Sequence, residues 1–218
     1  DTLGIKDGGP RTGRGLRLDD DGNILGFQFN ALFRLDAADG TLLNYTITEG
    51  GSKAAPAADL SGNVYSAPVV PGAAPLERWE KDFNMDSTPE VLISETVGFS
   101  RSFEVSGDGL NIYWAGYTNG YVLVYNQPDE FSPFGTPDTV ARGIRPESFT
   151  FNPATQQLWM SGGSFNDVPS LPWNPNTWYA FNTDDLNTAV DSLKWFSAFT
   201  APDDDRAITY DDSRPRAL

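Results

Sequence analysis

The stretch that decides the fold runs Phe103-Glu104-Val105-Ser106-Gly107-Asp108-Gly109-Leu110-Asn111-Ile112-Tyr113-Trp114-Ala115-Gly116-Tyr117-Thr118-Asn119-Gly120-Tyr121-Val122-Leu123-Val124-Tyr125. Phe103 to Val105, with Ser102 before it, alternates as a half-buried strand does. Ser106-Gly107-Asp108-Gly109 is a turn: Gly supplies positive φ, and Asp bonds its own backbone two residues on. Asn111-Ile112-Tyr113-Trp114 returns as an aliphatic and aromatic strand. Asn119-Gly120 is the best hairpin signal in the chain, and Tyr121 to Tyr125 is the strand that follows it.

The same pattern recurs on both sides. Gly15-Leu16-Arg17-Leu18, the turn Asp19 to Asn23, and Ile24-Leu25-Gly26-Phe27 form a first copy. Ala57-Ala58-Asp59, Leu60-Ser61-Gly62-Asn63 and Val64-Tyr65-Ser66 form a second. Ser148-Phe149-Thr150-Phe151, Asn152-Pro153-Ala154-Thr155 and Leu158-Trp159-Met160 form a fourth. The turns recur at intervals of roughly 40 to 56 residues, the range of a four-stranded propeller blade. Outer strands complete each copy: Ala31 to Leu35 with Thr41 to Thr46 across Asp39-Gly40, Leu76 to Lys81 with Val91 to Ser94, and Trp178 to Phe181 with Ser192 to Phe196. Residues 206–218 begin a further copy, at Ala207-Ile208-Thr209-Tyr210 or at Arg216-Ala217-Leu218. No stretch of helical period is long enough to predict a helix, and Asp184 to Trp195 is the one that could hold a single helical turn.

One twisted four-stranded sheet cannot bury both faces alone, and neighbours stacked radially cover them. The expectation is therefore an all-β chain of β-propeller blades at approximately 14–50, 51–97, 98–143 and 144–201. A β-sandwich is the alternative that also shows many short strands. Phe103 to Tyr125 resembles a blade of the secreted bacterial WD-like (YVTN-type) β-propellers, whose blade runs strand, Ser-Pro-Asp-Gly, aliphatic-Tyr-Val strand, Asn-Gly and a final strand. Gly107 stands where that pattern has Pro. The resemblance implies a secreted, extracellular or periplasmic setting and scaffold or binding roles. With the first copy complete and the last barely begun, four blades of a larger six- to eight-bladed ring are expected. A closed four-bladed ring is the other possibility. The opening at Asp1 is what a processed mature protein or a cut fragment would show.

Composition narrows the chemistry. The chain of 218 residues has 39% hydrophobic and 13% aromatic residues, enough for a substantial core. Its formal charge of -15 opposes binding to phosphate backbones or anionic membranes, so no nucleic-acid partner is expected. No apolar run approaches the roughly 18 to 20 residues of a membrane span. The chain contains no Cys and no His. Disulfides are thereby excluded, as are the commonest general base, the commonest zinc ligand and the Ser-His-Asp triad. No phosphate-binding Gly loop, dinucleotide fingerprint or Gly-x-Ser-x-Gly elbow occurs.

Several residues remain as candidates. Arg14, Arg101 and Arg145 stand at or just before the first strands of their copies, as Arg214 and Arg216 do near the end. Guanidinium groups at equivalent positions would hold a carboxylate or phosphate ligand; alternatively, pairing with Glu147 or Glu104 would pin the blades. Asp19, Asp21, Asp203 and Asp205 lie in acidic turns that offer oxygen to calcium, the one ion considered where no cofactor is expected. The same residues also favour solvated turns. The segment Gly162 to Thr177 is long and rich in Pro and Asn, and its Trp173 either stacks on a carbohydrate or packs back on its own loop. Asn44-Tyr45-Thr46 matches the N-glycosylation triplet.

Three functions fit these features. The first is a non-catalytic adhesion, matrix or fibre-building module whose partners are other chains or further copies of itself. The second is a lactonase-like or sugar-acting hydrolase using carboxylates and calcium, a reading that the absence of His weakens. The third is a binding module for small anions built on the arginines.

Overall fold

The polar turns picked out in the sequence reverse the chain between the first and second strands of four-stranded sheets. At the first, Gly22 N–H donates to Asp19 O at 3.0 Å and Asp19 N–H to Asn23 O at 2.9 Å. Gly62 and Asp59, and Gly109 and Ser106, repeat the first of these bonds at 3.1 and 2.8 Å. Gly22, Gly62 and Gly109 have φ of 80°, 84° and 75°, which explains the glycine at each turn. Side chains finish the job. Asp19 Oδ1 accepts from Asn23 N–H at 2.7 Å, and Asp59 Oδ1 accepts from Asn63 N–H at 2.9 Å.

The structure, a computed structural model, describes residues 13–116, 118–146, 148–152, 154–161, 173 and 177–194. These hold sixteen strands and no helix. The chain divides into two compact units, Asp1–Thr96 and Val97–Leu218. In the first, β1 (Gly13–Leu18), β2 (Ile24–Gln28), β3 (Ala31–Leu35) and β4 (Leu42–Ile47) form one antiparallel meander. A second meander contains β5 (Ala57–Ala58), β6 (Val64–Ser66), β7 (Leu76–Trp79) and β8 (Glu90–Ile93). The second unit holds β9 (Phe103–Val105), β10 (Asn111–Gly116), β11 (Tyr121–Asn126) and β12 (Asp138–Val140). Its other meander is β13 (Ser148–Asn152), β14 (Gln157–Ser161), β15 (Thr177–Asn182) and β16 (Asp185–Lys194).

Within each unit the two sheets stack, and their first strands lie side by side. A Cβ on Gly15 of β1 would stand 2.8 Å from Cβ of Ala55, just ahead of β5, so the chain there approaches too closely for any side chain. In the second unit Phe149 N–H of β13 donates to Ser102 Oγ, which precedes β9, at 3.2 Å. Leu25, Phe27 and Leu32 of the first sheet meet Val64, Trp79 and Phe83. Tyr113, Ala115 and Val122 of the third sheet meet Phe149, Leu158, Met160, Tyr179 and Phe181 of the fourth. Sheets joined as consecutive meanders and stacked in this way are β-propeller blades, so the sandwich alternative does not hold.

The single helical turn that Asp184 to Trp195 could have held does not form. Asp185 to Lys194 is strand β16, paired along β15 from Asn182↔Asp185 to Thr177↔Lys194. Leu186, Ala189 and Leu193 have helical spacing, but β15 is buried from Thr177 to Phe181 and presents a complete edge of N–H and C=O groups. Ladder bonds to that edge outweigh a local helix too short to be stable alone. Two register shifts beside Phe181 absorb the mismatch.

Candidate functional site

Arg34 of β3 is the centre of the polar structure in the first unit. It is 2% exposed, and its Nε lies 2.8 Å from Asp19 Oδ2 in an ion pair rather than an aligned hydrogen bond. Nη1 donates to Asn44 Oδ1 at 3.1 Å and to the carbonyl of Lys81, and Nη2 donates to the carbonyl of Gly62 at 2.9 Å. The guanidinium also lies 5.4 Å from the Phe83 ring centroid. A residue of the first sheet is thus bonded to the turn and the third-strand exit of the second. Asn44 Nδ2 adds a bond to Phe83 O at 3.0 Å. Asp21 pairs with Lys81 at the rim, and this contact holds the Asp21 carboxyl below its ordinary value.

A second polar cluster lies inside the second sheet. Lys53 is 1% exposed, with Nζ 3.8 Å from Glu77 Oε2. Ser66 Oγ donates to Glu77 Oε2 at 2.9 Å and accepts from Trp79 Nε1 at 3.1 Å. Burial pushes the Lys53 amine down and the Glu77 carboxyl up from their ordinary values. Asp59 Oδ2 accepts from Tyr65 OH at 2.9 Å; burial, then the Asp59 charge, raises the phenol.

The second unit differs. Arg101 and Arg145 are half-buried ahead of β9 and β13, the two first strands that lie together. The Arg145 stem covers the Asn119-Gly120 turn, where a Cβ on Gly120 would stand 3.7 Å from its Cγ. Trp173 is 7% exposed; its Nε1 donates to Arg142 O at 2.8 Å. Its ring meets Tyr179 and Phe181 edge-on, with centroids 5.0 and 5.4 Å away. Among the described residues the most exposed aromatic is Phe131, at 89%. It stands on the loop between β11 and β12, where Phe131 N–H donates to Asp129 Oδ1 at 3.0 Å. Ser132 N–H donates to Asp129 O at 3.2 Å, and Gly135 N–H closes the loop onto Asn126 O at 2.9 Å.

Of the residues expected to carry function, Arg101 and Arg145 are brought to neighbouring strands. Arg14 lies in β1, where only its backbone is described. Glu147, Asp203, Asp205, Arg214 and Arg216 fall outside the described residues. Asp19 and Asn44 are engaged with Arg34, and Trp173 packs back among aromatics. Among the described residues no three Asp or Glu side chains gather closely enough to hold a metal ion. Nor, among them, is any helix long and apolar enough to cross a membrane. Sequence reasoning missed Arg34 and Phe131. Arg34 carries no signal in an apolar strand, whereas Pro128-Asp129-Glu130-Phe131-Ser132-Pro133, an aromatic between acids and prolines, is a readable one.

No family model matches the chain, and no curated protein sequence matches it. Solved structures do. A chain of the nidogen/laminin complex is 14% identical with a TM-score of 0.64, over 93% of this chain and 70% of that one. Kuenenia stuttgartiensis hydrazine synthase is 12% identical with a TM-score of 0.59, over 88% of this chain and 51% of that one. The dihydro-heme d1 dehydrogenase NirN is 12% identical with a TM-score of 0.54, over 83% and 36%. The chain therefore spans about half the length of the hydrazine synthase chain it matches. At these identities the likeness shows the fold alone, and that fold is the β-propeller.

Proposed function

We propose that this chain is a non-catalytic, secreted interaction module that holds other proteins through the β11–β12 loop. The observation that carries the reading is Phe131, an aromatic ring 89% exposed on a loop tied by its own backbone bonds. Burying such a ring in a partner contributes about 1.5–3 kcal/mol, and a loop already held in shape loses little entropy on docking. Asp129 and Glu130 beside it, within a chain of formal charge -15, suit an apolar pocket rimmed by Lys and Arg. The likeness to a chain of a nidogen/laminin complex supports an interaction role, and the blade resemblance of Phe103 to Tyr125 supports the secreted setting.

The test compares wild-type and Phe131→Ser baits against the organism's own extracellular fraction, alongside a panel of lactone, ester and glycoside substrates. A partner held by the wild type, lost with Phe131→Ser and weakened by Asp129→Asn/Glu130→Gln is the expected result. Turnover of any substrate, or equal capture by both baits, would overturn the reading.

A further inference from the structure

Between Arg101 and Arg142 the sequence has no Lys, Arg or His, while Glu104, Asp108, Asp129, Glu130 and Asp138 all lie there. Every charge on the third sheet is therefore negative, and all but Glu104 are exposed. The antiparallel order of β9 to β12 places the Ser106–Asn111 turn and the β11–β12 loop at the same end of that sheet. Hydrogen bonds join the two. Gln127, 4% exposed, donates through its N–H to Leu110 O at 3.0 Å and through Nε2 to Gly109 O at 3.4 Å. Asn126 Nδ2 donates to Asn111 Oδ1 at 2.9 Å. Each segment is shaped by one oxygen of an aspartate. Asp108 Oδ1 accepts from Leu110 N–H at 3.0 Å and from Ser106 Oγ, as Asp129 Oδ1 accepts from Phe131 N–H. Among the described residues neither Oδ2 accepts a bond.

We infer that the β9–β10 turn is the second half of the docking surface around Phe131, and that Asp108 there selects a partner segment rich in Lys or Arg. The inference rests on the interaction-module reading and adds to it a specificity-determining residue and the form of the partner's chain. Charge complementarity sets the sign. Asp108, Asp129 and Glu130 flank Phe131 and the half-buried Leu110, and the third sheet has no cation to neutralise them. Span sets the form. About 7 Å of chain on either side of the Gln127–Leu110 bond puts Asp108 and Asp129 at most about 20 Å apart, which roughly six residues of extended chain cover. One continuous segment therefore reaches Phe131 with an apolar side chain and both aspartates with cations. Docking asks little rearrangement of this chain. Oδ1 of each aspartate already holds its segment in shape, and Oδ2 is left to accept a charge-assisted bond from the partner.

Amide NMR titration of the full chain tests this, with an eight-residue lysine peptide carrying two central leucines, and its glutamate counterpart, as probes. The basic peptide should move the amides of Asp108, Leu110, Glu130 and Phe131 over one concentration range, and bind more weakly as salt rises. The acidic peptide should move none. An exposed charge pair changes affinity by up to about fivefold. Asp108→Asn, which keeps an acceptor for Leu110 N–H, should therefore weaken binding about two- to fivefold, and Asp108→Asn/Asp129→Asn/Glu130→Gln at least ~tenfold. Asp20→Asn/Asp39→Asn/Asp86→Asn removes the same charge from exposed positions of the first unit and should weaken it less than ~twofold. Equal weakening by the two triple variants would mean that net charge alone attracts the peptide, and would overturn the inference. So would the absence of any response to the basic peptide. Binding at the Phe131 loop that is indifferent to Asp108→Asn would overturn the role of Asp108 and leave the interaction-module reading standing. Binding that needs Asp108 yet survives Phe131→Ser unchanged would keep Asp108 as a contact for basic segments and overturn the reading that Phe131 anchors the partner.

Discussion

Replacing Arg34 by Met tests whether the first two blades are joined by a buried charge. Methionine fills most of the arginine stem volume, so the cavity contribution is small and the electrostatic loss dominates. Four partners are left behind. The Asp19 side chain, 1% exposed, keeps its bonds from Asn23 but loses its counter-ion. The carbonyls of Gly62 and Lys81 and the amide oxygen of Asn44 lose a donor. Removing one partner of a buried ion pair costs about 3–5 kcal/mol, because the remaining charge stays desolvated. A domain is stable by only about 5–15 kcal/mol, so Arg34→Met removes a large share. Urea denaturation followed by tryptophan fluorescence reads the effect through Trp79, 3% exposed in the same core. Arg34→Met/Asp19→Asn should recover about 1–2 kcal/mol of the loss, since no buried charge then remains at that site. Arg34→Lys should fall between, because a single ammonium cannot reach a carboxylate and two carbonyls at once. A loss below about 1 kcal/mol, the size seen for exposed ion pairs, would refute the reasoning. So would a double variant no more stable than the single one.

Two further outcomes follow from buried polar groups. Ser66→Ala should cost about 1–3 kcal/mol, because Trp79 Nε1 loses its acceptor and Glu77 its hydroxyl donor inside the second sheet; unchanged stability and unchanged Trp79 emission would count against that network. Burial, reinforced by the charges of Asp108 and Glu104, pushes the Tyr113 phenol up to about 12 from its ordinary 10.0. The unfolded chain then loses this proton before the folded one, so the contribution is intact below pH 10 and declines as pH rises from 10 towards 12. A shift of that size is worth about 2–3 kcal/mol. Tyr113→Phe should flatten that part of the stability–pH curve, and a curve as steep as wild type would exclude Tyr113 as its source.

The amino-acid sequence by itself determined the strands, because strand and turn signals are local. Alternation in Phe103 to Val105, the φ-positive glycines at 22, 62 and 109, and the Asn119-Gly120 hairpin all act over a few residues, and each marks a strand or reversal that the fold contains. Where local and distant forces disagreed, the sequence misled: Leu186, Ala189 and Leu193 have helical spacing, yet the open edge of β15 drew them into β16. The polar sites were decided by tertiary structure. Asp19 reads as a calcium-type turn residue until β3 brings Arg34 to within 2.8 Å of it. Trp173 reads as a loop aromatic until Tyr179 and Phe181 close on its ring. Which face of the first sheet is buried, and which carries Leu16 and Leu18 into solvent, also depends on stacking with the second sheet. The physical reason is range. Backbone preference is fixed by a residue and its neighbours, while burial and charge pairing depend on segments tens of residues away, which only the folded chain brings together.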